Sequence, residues 1–375
     1  MYELVAGENL RDALQHVLLH PLISSSFSNL LRLAAAYRCE ARYLPRLLYL
    51  AVVTFLRQPI IWWEAGKYGH RIRQQNLEPP VFIIGHWRSG TTHLHNVMSQ
   101  DPRFGRVTLM QAGMPNDFLT LSGIAQQRLA QQLPEKRLMD NVAVSAESPW
   151  EEEMALTSTG RMSFYHVSFF PKCMQRIFNE AVMFDGDKSA LIASWKRQYL
   201  GFLRKVQFAQ PGMPLLLKNP ANTARISLLK EMFPGARFIH IHRDPYKVFA
   251  STVHLYLKAQ EAWGLHRTDR ESVVAHVLDS YPRLMSAFFA ERGILDDKHL
   301  VDVSFQDLQD DAIGTMAAIY RQLNLQNFDA AAPHFQAYVD SQRDYQKNVL
   351  PLTSEEREEV GKRWGDVFAQ LGYPV

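Results

Sequence analysis

Residues 79–98, PPVFIIGHWRSGTTHLHNVM, constrain the fold of this chain more than any other stretch. Val81 to Ile84 form a short apolar run between Pro79-Pro80 and Gly85, which predicts a buried parallel strand. From Thr91 the spacing turns helical, with Leu94, Val97 and Met98 on one face. The turn between them, Gly85-His86-Trp87-Arg88-Ser89-Gly90-Thr91-Thr92, brings backbone amides and hydroxyls to the start of that helix. Such a turn is an anion cradle, combining exposed N–H groups, the positive end of a helix dipole and a cation at the mouth.

The two glycines have the spacing of the nucleotide-hydrolase phosphate loop, G-x-x-x-x-G-K-[ST]. Thr91 stands where that loop carries its lysine, and the cation arrives earlier, as Arg88. A different anion and a different leaving group are implied.

A chain of 375 residues with 47% hydrophobic content can bury a large core, as one α/β domain with insertions or as two modest domains. Its net charge of +3 is too small to imply nucleic-acid binding, though it suffices for a basic rim around an anionic ligand. Cys39 and Cys173 are the only cysteines, so neither a disulfide scaffold nor a zinc cluster is expected, and the default compartment is the reducing cytoplasm.

Residues 1–76 read as helices: Leu10, Ala13, Leu14, Val17 and Leu18 keep helical spacing, and Phe27 to Tyr37 is a second amphipathic run. The start lacks the pattern of a secretory signal. The most lipophilic part, Leu47 to Leu56, is bracketed by Arg46 and Arg57 and followed by Pro59-Ile60-Ile61-Trp62-Trp63. Ten residues cannot span a bilayer. The stretch reads first as a buried core helix. The competing reading is peripheral membrane contact through residues 47–63, with Trp62 and Trp63 at headgroup level.

Asp101 to Gly105 is a turn, Val107 to Met110 a short second strand, and residues 111–140 a lid or irregular insertion. In Glu147-Ser148-Pro149-Trp150-Glu151-Glu152-Glu153, Ser148 suits an N-cap, Pro149 the first helical position and Glu151 the capping box. Glu147 precedes the cap and Glu152 points elsewhere from Glu151, so part of this charge faces a cleft, and a general base for an alcohol is sought here. Phe164, Tyr165, His166, Phe169 and Phe170 form an aromatic patch, either core or an apolar wall for an acceptor, with His166 an alternative base.

The α/β signal then returns. Leu215 to Leu217 is a strand ending in Lys218-Asn219-Pro220, Thr223 to Phe233 a helix stopped by Pro234-Gly235, and Arg237 to His242 another strand. Lys218 and Arg243 thereby fall at the carboxyl ends of strands, where open parallel sheets bind ligands. Arg243-Asp244-Pro245 opens a helix through Phe249, Val253 and Leu257. Ser251 on it and Arg243 at its mouth form a clamp for one phosphate. His299 to Phe305 is a further strand, and the chain ends in a capped amphipathic helix from Thr353 to a Gly372 stop.

Together these residues resemble the sulfotransferases that use 3′-phosphoadenosine 5′-phosphosulfate (PAPS), in the bacterial-type branch whose first signature is close to G-x-x-R-[ST]-G-T-T. Gly85 to Thr92 match it; Ser148-Pro149-Trp150-Glu151 with Glu153 resembles the N-P-W-E-x-E element, with Ser148 replacing the usual Asn. Lys218-Asn219-Pro220 resembles K-[DN]-P, and Phe233 to Phe238, His242 to Pro245 and Ser251 resemble the 3′-phosphate element.

The resemblance implies a three-layer, P-loop-like α/β fold with a mostly parallel sheet, formed by residues 77–375 with helical insertions and an N-terminal helical extension, residues 1–76, packed on it. It implies that Arg88, Ser89, Gly90, Thr91, Thr92 and His93 hold the 5′-phosphosulfate and that Arg243 with Ser251 holds the 3′-phosphate. Arg88 and Lys218 would act as catalytic cations and Glu151 or Glu152 as base, with Glu147 and His166 still open, and no metal. Residues Arg343 to Asn348 would close over the cofactor. The expected acceptor is a hydroxyl on a sterol, phenol or lipid-like alcohol, with a glycan as the other choice, and a homodimer is a further expectation. The competing readings are a nucleotide kinase or hydrolase, and a non-catalytic peripheral membrane protein.

Overall fold

The computed structural model describes residues 20–123, 145–342 and 350–375. The helical run through Leu10 to Leu18, the insertion beyond residue 123 and the segment Arg343 to Asn348 lie outside the described residues.

The sheet contains β1 (Val81–Ile84), β2 (Gly105–Arg106), β3 (Leu215–Lys218), β4 (Arg237–His242) and β5 (Leu300–Ser304), in the order β2-β3-β1-β4-β5. Every pairing is parallel. All residues of β1 and β3 are buried, as continuous apolar runs without alternation require of strands covered on both faces. Phe82, Ile84, Leu215, Leu217 and Phe238 share one core with Tyr199, Phe249, Tyr281 and Trp364. Val81, Ile83, Leu216, Ile239 and Ile241 point the other way, into a second core with Leu94, Val97, Met316 and Ile319. These are the three layers expected from the sequence.

After β1 the chain builds one side of the sheet through β2 and β3, then crosses back to add β4 and β5 on the other. The strand order therefore reverses at β1, and the turn after β1 opens into the crevice at the carboxyl edge. β3 and β4 are not neighbours, because β1 lies between them.

Local chemistry shifted several boundaries. Val107 to Met110 is not a strand: Thr108 and Gln111 form a reciprocal capping box that starts the helix Leu109–Gly113. The helix expected from Thr223 begins at Ile226, because the Asn219 side chain accepts from the Ala221 amide and holds Pro220–Ala224 in a 3₁₀ turn. Phe27–Tyr37 is helical as read, capped by Ser26, and Thr353 with Glu356 caps the last helix, Ser354–Leu371, ended by Gly372.

The lipophilic N-terminal stretch is the largest departure. It belongs to a helix, Leu44–Arg73, that runs through Pro59, and it is not a core helix. Leu50 and Thr54 are buried, whereas Leu48, Val52, Phe55 and Leu56 are 49–68% exposed. Only a narrow line of the helix meets the core. Polar ties fix that side: Arg46 donates to the Gly264 carbonyl at 2.9 Å, Arg57 pairs with Asp117 at 2.6 Å, and Glu64 pairs with Lys205.

Candidate active site

The turn after β1 is fixed by backbone geometry. Gly85 has φ 135°, and its amide donates to Thr223 Oγ1 at 2.8 Å; a Cβ there would run into the Ile241 carbonyl oxygen of β4. Arg88 has φ 70° and Gly90 φ 101°, both in the left-handed region. Gly90 precedes the helix Thr91–Met98, which no side chain caps, so its first amides are presented at the sheet edge. A Cβ on Gly90 would enter the ring of Phe305, the residue after β5.

Two strand ends and the helix after β4 converge on this turn. Arg88 Nε donates to Ser251 Oγ at 2.8 Å, and Arg243 Nη1 donates to the Arg88 carbonyl at 3.4 Å. The Arg243 guanidinium lies 4.8 Å over the Phe305 ring, and His93 meets the same ring edge-on at 6.4 Å. Arg88, Arg243 and Ser251 thus form one cluster, and the loop cation itself reaches the helix hydroxyl. Ser89 and Thr91 are buried in the turn.

Lys218, the last residue of β3, is 2% exposed. Its ammonium donates to Glu151 and, at 3.4 Å, to Thr92 Oγ1. Glu151 also accepts from the Tyr165 hydroxyl.

The segment carrying Glu151 does not form the capping box expected. Residues 148–150 run extended against Val107–Leu109: Leu109 N donates to Ser148 O at 2.9 Å, Trp150 N donates to Val107 O at 2.8 Å, and Thr108 bridges Pro149. The helix is Glu152–Thr159, with Glu151 as an N-cap that makes no side-chain cap bond. The reason is competition, since the Glu151 carboxylate is held by Lys218 and Tyr165.

The three successive glutamates then part ways. Glu152 is fully buried and accepts from Tyr199 Oη at 2.8 Å and from Asn222 Nδ2 at 3.2 Å. Burial pushes its pKa up to about 7. Glu153 accepts from Asn219 Nδ2 and from the Phe164 amide, both at 2.7 Å, and meets Arg225 at 3.5 Å. Glu152 therefore does not face the cleft, contrary to expectation. His166 is also buried, bonded through Nε2 to the Thr157 carbonyl at 3.1 Å, and burial lowers its pKa to about 4. Glu147 is exposed, next to the buried Ala146. Of the four candidate bases, Glu151 alone lines the cavity.

That cavity is a cleft open to solvent, with about 70 Å³ of enclosed space at its centre. At one end are Arg88, Thr91, Thr92, Glu151 and Lys218; the walls are Trp87, Trp150, Met154, Phe164, Tyr165, Phe169, Leu255, Tyr256 and Trp263. Of the predicted aromatic patch, Phe164, Tyr165 and Phe169 face it, while Phe170 packs on the Tyr37 ring at 5.0 Å. Sequence reasoning missed the wall supplied by the helix Pro245–Trp263. Tyr256, Ala259 and Trp263 recur there at helical spacing on one face, beyond the residues used to assign that helix.

A parallel, doubly wound sheet with an anion turn at its switch point defines an α/β group-transfer architecture. Residues 79–330 match the family model described as the Sulfotransferase family, and the chain belongs to that family. It is 31% identical over 312 residues to the omega-hydroxy-beta-dihydromenaquinone-9 sulfotransferase Stf3 of Mycobacterium tuberculosis and to that of Mycobacterium bovis, covering 83% of this chain and 80% of each relative. The crystal structure of sulfotransferase STF9 from Mycobacterium avium shares the fold, with a TM-score of 0.68 at 17% identity over 88% of this chain and 86% of that one. Sulfotransferase STF1 from Mycobacterium tuberculosis H37Rv does so with 0.66 at 19% identity, over 96% and 93%. Family membership makes the chain a sulfuryl-transferring enzyme and removes the kinase, hydrolase and non-catalytic readings.

Proposed function

We propose that the enzyme takes its sulfuryl group from PAPS and passes it to a hydroxyl on a lipophilic acceptor held in the aromatic cavity. One observation carries this reading: the cavity is apolar along its walls and ends at Glu151, Lys218 and the anion turn. The acceptor named for the Stf3 relatives, an omega-hydroxy dihydromenaquinone, belongs to the same chemical class.

The residues fit the donor. The uncapped amides at Gly90 to Thr92, with Arg88, Ser89 and His93 around them, suit a 5′-phosphosulfate, and Arg243 with Ser251 suits a 3′-phosphate. When bound, the donor supplies an activated sulfuryl group on a phosphate leaving group. Glu151 takes the proton of the acceptor hydroxyl as that oxygen bonds to sulfur and the bond from sulfur to the phosphate oxygen breaks. Lys218, Arg88 and the helix amides stabilise the charge that collects on the departing phosphate oxygen. Arg88 acts through its field, since a guanidinium does not give up a proton. The apolar walls exclude water and orient the acceptor chain.

We keep the reducing cytoplasm, expected of a chain with two cysteines, as the compartment of this reading. Leu22, Leu30, Leu33 and Leu50 share a core with Phe82, which supports packing of the described part of the N-terminal extension, residues 20–76, on the α/β domain that starts at residue 77. The test is transfer from PAPS, in chelator, to primary alcohols of rising chain length. Turnover should improve with chain length and collapse in Glu151→Gln. Preference for a short polar sugar, or full activity in that variant, would overturn the reading.

A further inference from the structure

We propose that the outer face of the helix Leu44–Arg73 docks in the interfacial plane of an anionic lipid bilayer and places the acceptor cavity beside the membrane. Leu48, Val52, Phe55, Leu56, Trp62 and Trp63 are all 49–68% exposed. At about 100° per residue they fall within an arc of roughly 120°, a single stripe about 20–25 Å long. Scattered exposed apolar side chains are ordinary, but a continuous stripe of this size marks a surface with an occupant.

Charge identifies the occupant. The only carboxylate in the helix, Glu64, is buried against Lys205, so the outer face carries no negative charge of its own. Lys67, Arg71 and Arg73 are exposed where the helix ends, and Arg42 is exposed just before its start. An apolar stripe with two tryptophans and basic ends matches an interface of buried acyl chains and anionic headgroups.

By length and composition the helix could cross a membrane. Its inner side argues for lying flat instead. Arg46, Arg57 and Glu64, spread along its length, are bonded to Gly264, Asp117 and Lys205 of the catalytic body. Crossing a bilayer would require those charged groups to enter hydrocarbon without these partners.

The same ties connect the helix to the cavity. Arg57 donates to the Ile23 carbonyl at 3.3 Å and to Ser24 Oγ at 3.2 Å, in the turn that begins with Pro21, a cavity-lining residue. Arg46 holds Gly264, next to the cavity-lining Trp263. An acceptor leaving the bilayer beside the helix would meet this edge of the cavity. The docking claim stands on the helix alone, whereas loading from the membrane rests on the lipophilic-acceptor reading.

The experiment uses the full chain and the variant Leu56→Ser/Trp62→Ser/Trp63→Ser. Both are sedimented with vesicles of phosphatidylcholine alone or of equimolar phosphatidylcholine and phosphatidylglycerol, while a short water-soluble alcohol assays turnover. Wild type should bind the anionic vesicles, and the variant about tenfold or more weakly, with turnover of the soluble alcohol unchanged. Absent binding, or binding equal in the variant, would overturn the proposal. So would a solution dimer, seen by light scattering, that the three substitutions dissociate without any vesicle binding, since the stripe would then join two copies of the chain. Wild type that binds vesicles but sulfates no alcohol would uphold docking and sink the acceptor reading.

Discussion

Lys218 pairs with Glu151 across 67 residues of chain, and both side chains are nearly buried, at 3% and 9% exposure. This pair ties the edge of the sheet to the segment that carries the proposed base.

Removing one partner should cost far more than removing both. Glu151→Gln or Lys218→Met leaves a lone buried charge and should destabilise the fold by about 3–5 kcal/mol, with the double variant recovering part of the loss. Urea unfolding of the four proteins measures this, and additive losses would show that the two groups do not interact.

The arginine beside Phe305 should act on the nucleotide. Arg243→Ala is expected to weaken metal-free binding of adenosine 3′,5′-bisphosphate by about 1.5–3 kcal/mol, roughly ten- to a hundredfold, in calorimetry. AMP, which lacks the 3′-phosphate, should lose much less. Equal losses for the two nucleotides would place Arg243 elsewhere in the site.

Glu152 gives stability a pH dependence with a defined sign. Its pKa is raised from 4.5 to about 7 by burial, so the folded protein holds that proton more tightly than the unfolded chain. Its contribution is fully present below about 4.5 and is lost as pH rises through about 7. Buried His20, His86, His166 and His276, all with lowered pKa, act in the opposite sense, favouring the fold above 6.5 and losing that contribution on acidification. The readout is therefore the difference between wild type and Glu152→Gln. It should grow in favour of the variant between pH 4.5 and 7, and a pH-independent difference would contradict the assignment.

Two glycines with similar φ should respond differently to alanine. Gly186, at φ 111°, has open space around it and should show only backbone strain, about 1 kcal/mol. Gly90, at φ 101°, would also drive a methyl into Phe305, so Gly90→Ala should cost more stability and weaken nucleotide binding as well. Equal shifts in melting temperature would show that the Phe305 ring yields freely.

The sheet and its ligand edge were legible because the strands are contiguous apolar runs with breakers at both ends. Arg237 to His242 was bounded without error, and Arg88, Lys218 and Arg243 were placed by their position after a strand. Glu151 and Glu152 could not be separated that way. Adjacent residues at a helix start differ in direction, but which direction is solvent depends on Tyr199 and Asn222, distant in sequence. The long N-terminal helix was misjudged because hydropathy does not say which side of an apolar helix finds a partner.

The cavity has two origins in the chain. Its charged end comes from strand termini, where Gly85 is pressed against the Ile241 carbonyl and tolerates little change. Much of its wall comes from the Phe164–Phe169 stretch, where Tyr165 bonds to Glu151 at the charged end, and from one helix face, Leu255 to Trp263. On the proposed reading, the wall that meets the acceptor and the edge that activates the sulfuryl group come from different segments joined at Tyr165, so exchanges along Leu255 to Trp263 should alter the choice of alcohol before they slow transfer.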